Sequence, residues 1–285
     1  MPRSPEHSGP VNHRALLFVL VALVAPVGWA QSDKYNPPID RAAPGKADQA
    51  VGARILADFR RAGIAGDYWL SFELRVMPRQ GTERTVSGTL LGMRGESGPL
   101  SRLTVGGQQL LIASGPKPGA WIAEAAGQVA PASPGQAVAG TGVTIFDLQM
   151  PFLYWTDFTY EGQAKVRGRP THSFILRPPP GYVPPRPDLT GVRVLIDAQF
   201  QAMVQAELLG ARGTVVKTII LLDLKKVGEQ WTVKTIDVRD VRTRDKTRLT
   251  ITNIVTGLHW PAGVFEPGDL VNAAPVMASP LPGKP

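Results

Sequence analysis

Hydrophobic and polar side chains alternate along most of this chain, and helical spacing is rare. The clearest run is residues 68–76. Tyr68, Leu70, Phe72, Leu74 and Val76 share one parity, and Trp69, Ser71, Glu73 and Arg75 share the other. Period two sustained over this length predicts a half-buried strand. Residues 83–94 form a second candidate strand whose Gly88 and Gly92 allow bending. Residues 100–105 and 108–113 flank Gly106-Gly107, a hairpin turn signal, and 120–124 is a further short strand. Strands resume at 171–176. Five more then follow with short connections, at 192–198, 200–208, 214–224, 230–238 and 248–255. In these, Phe200, Ala202, Val204, Ala206 and Leu208 are placed on one face, and Val216, Thr218, Ile220, Leu222 and Leu224 on another. Such spacing predicts an up-and-down antiparallel meander.

Two segments break the alternation. In residues 48–62 the apolar Val51, Ile55, Leu56 and Phe59 recur at helical spacing between a capping Asp48 and a terminating Gly63, so this segment should lie with one face on a sheet. Residues 144–160 crowd Phe146, Leu148, Met150, Phe152, Leu153, Tyr154, Trp155 and Phe158 around Pro151 without period two, which reads as one or two short apolar helical turns. Residues 127–142 are small and polar and are expected to form a mobile loop. Residues 177–187 (RPPPGYVPPRP) are a stiff polyproline-like insertion, read as a spacer loop.

Composition adds that 30 glycines and 27 prolines favour short strands joined by turns over long helices. The first thirty residues have the form of a signal peptide: Arg14 closes a basic region, an apolar run follows to Ala25, and Gly28 and Ala30 precede a cut ahead of Gln31. That run is shorter than the ~20 residues a membrane span needs. The chain therefore divides as 1–30 signal peptide, 31–47 flexible lead, 48–270 one domain and 271–285 disordered tail, with a periplasmic location for the mature protein. There is no cysteine, so neither a disulfide nor a lipidated N-terminal cysteine is expected.

Known chemistry is sparse. Only His172 and His259 remain after the leader, with no HExxH motif, no nucleophile elbow, no phosphate-binding loop and no complete dinucleotide fingerprint. Neither a catalytic residue nor a metal or other cofactor is expected, and the chain is read as not an enzyme. The net charge of +8 falls to about +7 once Arg3, Arg14 and Glu6 leave. Arg239, Arg242, Arg244, Lys246 and Arg248 concentrate positive charge on one hairpin. That cluster is either a solvated turn or a contact for an anionic membrane surface; nucleic acid is not an expected partner.

The helix before DYWLSFELRV, the apolar IFDLQMPFLYW segment, and the runs VVKTIILLDLKKVGEQWTVKTIDVRD and RLTITNIVTGLHWPAGVFEP occur in an order that resembles the outer-membrane lipoprotein-sorting (LolA/LolB-like) superfamily over residues 50–270. The resemblance implies an α+β, mainly β fold: an incomplete antiparallel barrel with short helices over its open face and a hydrophobic cavity for acyl chains. It implies a soluble carrier of lipid or lipoprotein that works beside an inner-membrane lipid exporter, or alternatively an envelope sensor or adaptor that binds a protein partner with the same fold. The acyl-contacting positions would be Leu70, Phe72, Leu74, Met150, Phe152, Trp155, Phe158, Ile196, Phe200, Val204, Ile220 and Leu222, with 146–158 as the lid. Read without the resemblance, the same side chains are a filled core.

Overall fold

The structure is a computed structural model that describes residues 39–41, 47–61, 66–124, 127–227, 230–261, 263–275 and 277. The expected signal peptide lies outside the described residues, as do most of the lead and the end of the tail. Ile39–Arg41, inside the stretch expected as a flexible lead, is strand β1.

One helix and a sheet dominate. Helix α1 (Gln49–Arg61) begins where the Asp48 carboxylate accepts the amides of Ala50 at 2.8 Å and Val51 at 3.3 Å, satisfying donors that have no partner within the helix. Its buried face is Gly52, Leu56 and Phe59. Strands β2 (Asp67–Met77), β3 (Arg84–Gly95), β4 (Gly98–Val105), β5 (Gln108–Ala113), β6 (Gly119–Ala123) and β7 (Val129–Pro131) form a first antiparallel meander. After α2 (Ile145–Gln149) and a 3-10 turn at Pro151–Tyr154, a second meander follows: β8 (Phe158–Val166), β9 (Arg169–Leu176), β10 (Gly191–Asp197), β11 (Met203–Leu209), β12 (Val215–Val227), β13 (Gln230–Asp240) and β14 (Lys246–Leu258). Pairing of β14 with β2 joins the two into one sheet of order β1-β8-β9-β10-β11-β12-β13-β14-β2-β3-β4-β5-β6-β7.

The sheet does not close. β7 and β1 are its two edges, so it forms an open antiparallel half-barrel, as the resemblance implied. The chain leaves β7 at one edge and re-enters at β8 beside the other. The connection must therefore cross the open side, and it carries α2 and the 3-10 turn with it. Phe146, Phe152 and Trp155 of that connection, together with Leu56 and Phe59 of α1, are buried against Leu70, Phe72 and Leu74 of β2 and Val192, Val194 and Ile196 of β10. The opposite parity of β2 serves a separate cluster, in which Trp69 packs with Leu91, Leu111, Val264, Phe265 and Leu270 on the outer face. Arg102 pins this outer layer. Its buried guanidinium donates to the carbonyl of Val264 at 3.1 Å, to Asp269 Oδ2 at 2.6 Å and to the carbonyl of Asn272 at 2.6 Å.

Bending is visible where β2 meets β3. Phe72 lies opposite Gly88 and Tyr68 opposite Gly92, and both rings fold across the strand into space that a Cβ would fill. Glycine here admits an aromatic ring rather than a turn. The stretch 127–142, expected as a mobile loop, is instead packed. It contains β7, and Val138 within it and Val143 just after it are buried in the main core. Thr141 locks the bend between them, its hydroxyl donating to the Val138 carbonyl at 2.8 Å and accepting from the Val143 amide at 3.1 Å. Two valines spaced five apart among small residues leave no period to read, yet they suffice to anchor the loop. In the proline-rich 177–187 segment, the Tyr182 ring meets Trp155 edge-on at 5.3 Å, so it rests on the lid.

Candidate functional site

Between the half-barrel's inner wall and the crossing connection lies a cavity of about 350 Å3. Its walls follow from strand parity. Leu70 comes from β2, Ile219, Leu221 and Leu224 from β12, Val233 and Ile236 from β13, and Ile251 and Ile254 from β14. Phe59 closes it from α1, Met150 and Leu153 from the connection, and Phe200, Ala202 and Met203 from the β10–β11 turn and the start of β11. This volume falls within the range of ligand pockets, and aliphatic side chains, with the flexible Met93, Met150 and Met203, are suited to apolar chains.

The connection is held in place by polar contacts at two points. At its start, Thr144 and Asp147 form a capping box: the Asp147 carboxylate accepts the Thr144 amide at 2.8 Å, the Thr144 hydroxyl accepts the Asp147 amide, and Lys217 of β12 bonds the same carboxylate. At its far end, Arg60 of α1 donates from Nε to the Leu153 carbonyl and from Nη2 to the Trp155 carbonyl at 2.7 Å. Phe146, Phe152 and Trp155 pack on one another with centroids 5.5–6.4 Å apart. Met150, between α2 and the 3-10 turn, sits at φ 47°, and this left-handed residue makes the corner between the two short turns. The segment thus has the one or two helical turns expected of it.

Of the twelve acyl-contacting positions expected, Leu70, Met150 and Phe200 line the cavity. Phe72, Leu74, Phe152, Trp155 and Ile196 are buried in the core around it, and Phe158 packs on Phe174 at 6.3 Å. Val204 joins an outer cluster with Leu195, Ala164 and Val166. A bulge pairs Leu195 with Gln205 but Ile196 with Met203, so the extra residue shifts parity and Met203 takes the cavity position. On β12, Ile219 and Leu221 line the cavity rather than Ile220 and Leu222. Both parities of TIILL are apolar, so β12 alone could not decide. Its partner strand could: Ile220 lies opposite Asp237, and Leu221 opposite Ile236.

The remaining candidates fall elsewhere. His172 Nδ1 lies 2.7 Å from the Tyr160 hydroxyl, and burial pushes its pKa down despite the Asp197 charge; His259 is exposed. The basic hairpin is partly internal. Arg248 grips the buried Asp237 carboxylate at 2.7 and 3.0 Å, with Arg239 at 3.3 Å and Lys246 at 4.0 Å, leaving Arg242 and Arg244 exposed at the turn. Among the described residues no cluster of metal-ligating side chains occurs, and no helix is long and apolar enough to cross a membrane.

Residues 123–272 match the model of a family described as "-like: Uncharacterized protein". The chain belongs to that family. Its structural neighbours are outer-membrane lipoprotein-sorting and LolA-superfamily proteins. A putative outer membrane lipoprotein-sorting protein domain from Vibrio parahaemolyticus superposes with a TM-score of 0.66 at 17% identity, over 77% of this chain and 96% of that one. A DUF1329 family protein from Desulfovibrio piger gives 0.66 at 15% identity, covering 76% and 96%. A LolA superfamily protein from Nitrosomonas europaea gives 0.59 at 15% identity, covering 75% and 96%. The fold is therefore the LolA-like half-barrel. No curated protein matches the sequence.

Proposed function

We propose that this LolA-like protein is a periplasmic carrier that holds an acyl chain of a lipid or lipoprotein in the half-barrel cavity and takes it from an inner-membrane exporter towards the outer membrane. The observation that carries this reading is the cavity itself: about 350 Å3, walled by aliphatic side chains from four strands, and closed by a segment of two short helical turns that polar ties and the buried Phe146, Phe152 and Trp155 keep in place. Each methylene moved from water into such a slot gains about 0.8 kcal/mol, so an ordinary acyl tail supplies enough binding free energy without any catalytic group. The lid's movement would admit the chain, and the methionines would adapt to its length.

The test is a pair of bulky substitutions. Leu221→Trp places an indole in the cavity, whereas Thr252→Trp adds the same group at an exposed strand position. Uptake of a fluorescent fatty acid should fall steeply in the first variant and stay unchanged in the second. Equal uptake in both would mean that acyl chains do not enter this cavity.

A further inference from the structure

The cavity is apolar along its walls but not at its mouth. Among its described lining residues the charged side chains are two arginines, Arg60 and Arg94, and none is Asp or Glu. Arg94 Nη2 donates to the Arg60 main-chain carbonyl at 3.5 Å, which places the Arg94 guanidinium beside the end of α1. The Tyr154 phenol stands beside both: burial raises its pKa, and the charges of Arg94 and Arg60 work against that rise. Arg60 is half withdrawn from water, and burial lowers its pKa. Its hydrogen bonds, to the carbonyls of Leu153 and Trp155, go to neutral groups. A guanidinium in the lining of an apolar slot is a planar, permanently charged donor suited to oxyanions. With no carboxylate among the described lining residues, the two guanidinium charges would favour a tail bearing an anionic end group over a neutral one.

We infer that the ligand is an amphiphile with an anionic headgroup, an acyl tail along the aliphatic wall and its oxyanion between Arg60 and Arg94. This rests on the acyl-carrier reading and names the ligand class for that same cavity. A carboxylate or a phosphate ester would meet the same arginines.

The experiment is calorimetric titration of the whole mature protein with dodecanoate, dodecyl phosphate and dodecanol, which share one tail. Either anion should bind about tenfold more tightly than dodecanol, the worth of one charge-assisted hydrogen bond. Arg94→Gln, at an exposed position, should bring that ratio close to one. In the unmodified protein the ratio should shrink as salt is raised. The proposal is overturned if dodecanol binds as well as the anions, or if the preference survives both Arg94→Gln and high salt; in either case the acyl-carrier reading stands. If none of the three binds, that reading falls as well.

Discussion

Replacing Gly52 with alanine sets two opposed effects against each other. Gly52 lies on the buried face of α1, and a Cβ there would come within 2.5 Å of Tyr160 Cβ and 2.6 Å of its Cγ. Those atoms cannot swing aside. The Tyr160 hydroxyl is bonded to His172 at 2.7 Å, its amide donates to Gln49 Oε1 at 2.8 Å, and its ring packs on Phe174 at 5.0 Å. Restoring ordinary carbon–carbon spacing would move the helix by roughly 1 Å. Alanine gains about 1 kcal/mol of helix propensity, whereas overpacking of this kind costs about 1–3 kcal/mol. The expected net is a loss of about 1 kcal/mol, and α1 should lift slightly and draw Phe59 and Arg60 out of the cavity wall. Urea unfolding reads it directly: with a slope of about 3 kcal/mol per molar, the midpoint should fall by about 0.3 M with the slope unchanged. A midpoint that rises by the propensity gain alone would refute the packing of α1 against Tyr160, and with it the position of Arg60.

Other substitutions probe the lid and the charges. Arg60→Met removes the two bonds to the Leu153 and Trp155 carbonyls; a loss of about 1.5–3 kcal/mol of local stability should speed amide exchange at residues 151–155 by tenfold or more, and unchanged exchange would show that Arg60 does not tie the lid. Burial pushes the Asp237 carboxyl up, but the hydrogen bonds and charge of Arg248, the charge of Lys246 and a hydrogen bond from Arg239 outweigh it and hold the pKa below the usual value of 3.8. Its contribution should therefore be complete above about pH 4 and lost as pH falls through the lower folded value. Asp237→Asn should cost about 3–5 kcal/mol at neutral pH and flatten that acid limb; an acid limb of unaltered steepness would place the titration elsewhere. The Tyr182 hydroxyl is buried without a hydrogen-bond partner among the described residues, and burial pushes its pKa up to about 12. Tyr182→Phe should be neutral or stabilising by up to about 1 kcal/mol and should remove a loss of stability between about pH 10 and 12; marked destabilisation at pH 7 would point to a hydrogen bond on that hydroxyl.

Much of this fold was legible because its strands carry one apolar face. β2 alternates cleanly, and its two faces serve two different clusters, Leu70, Phe72 and Leu74 inside and Trp69 outside. The capping Asp48 and the spacing of Leu56 and Phe59 likewise placed α1 to within a residue or so. The cavity lining was harder to read. On β12 both parities are apolar, so the facing Asp237 on β13, and not the strand's own pattern, decides that Leu221 points inward. On β11 a bulge moves the cavity position from Val204 to Met203, and no single-strand pattern shows a bulge. Arg60 and Arg94 are hidden for a related reason. One lies near the end of a helix and the other near the end of a strand, where a basic residue reads as solvated surface, and only the tertiary fold brings both to one cavity.

The central claim, that the half-barrel holds an acyl chain, is tested most directly by native mass spectrometry of the mature protein purified from a Gram-negative periplasm. The account predicts a population heavier than the polypeptide by the mass of one acyl-bearing molecule, reduced in Leu221→Trp. A bare polypeptide mass, in a protein that also fails to take up a fluorescent fatty acid, would contradict it.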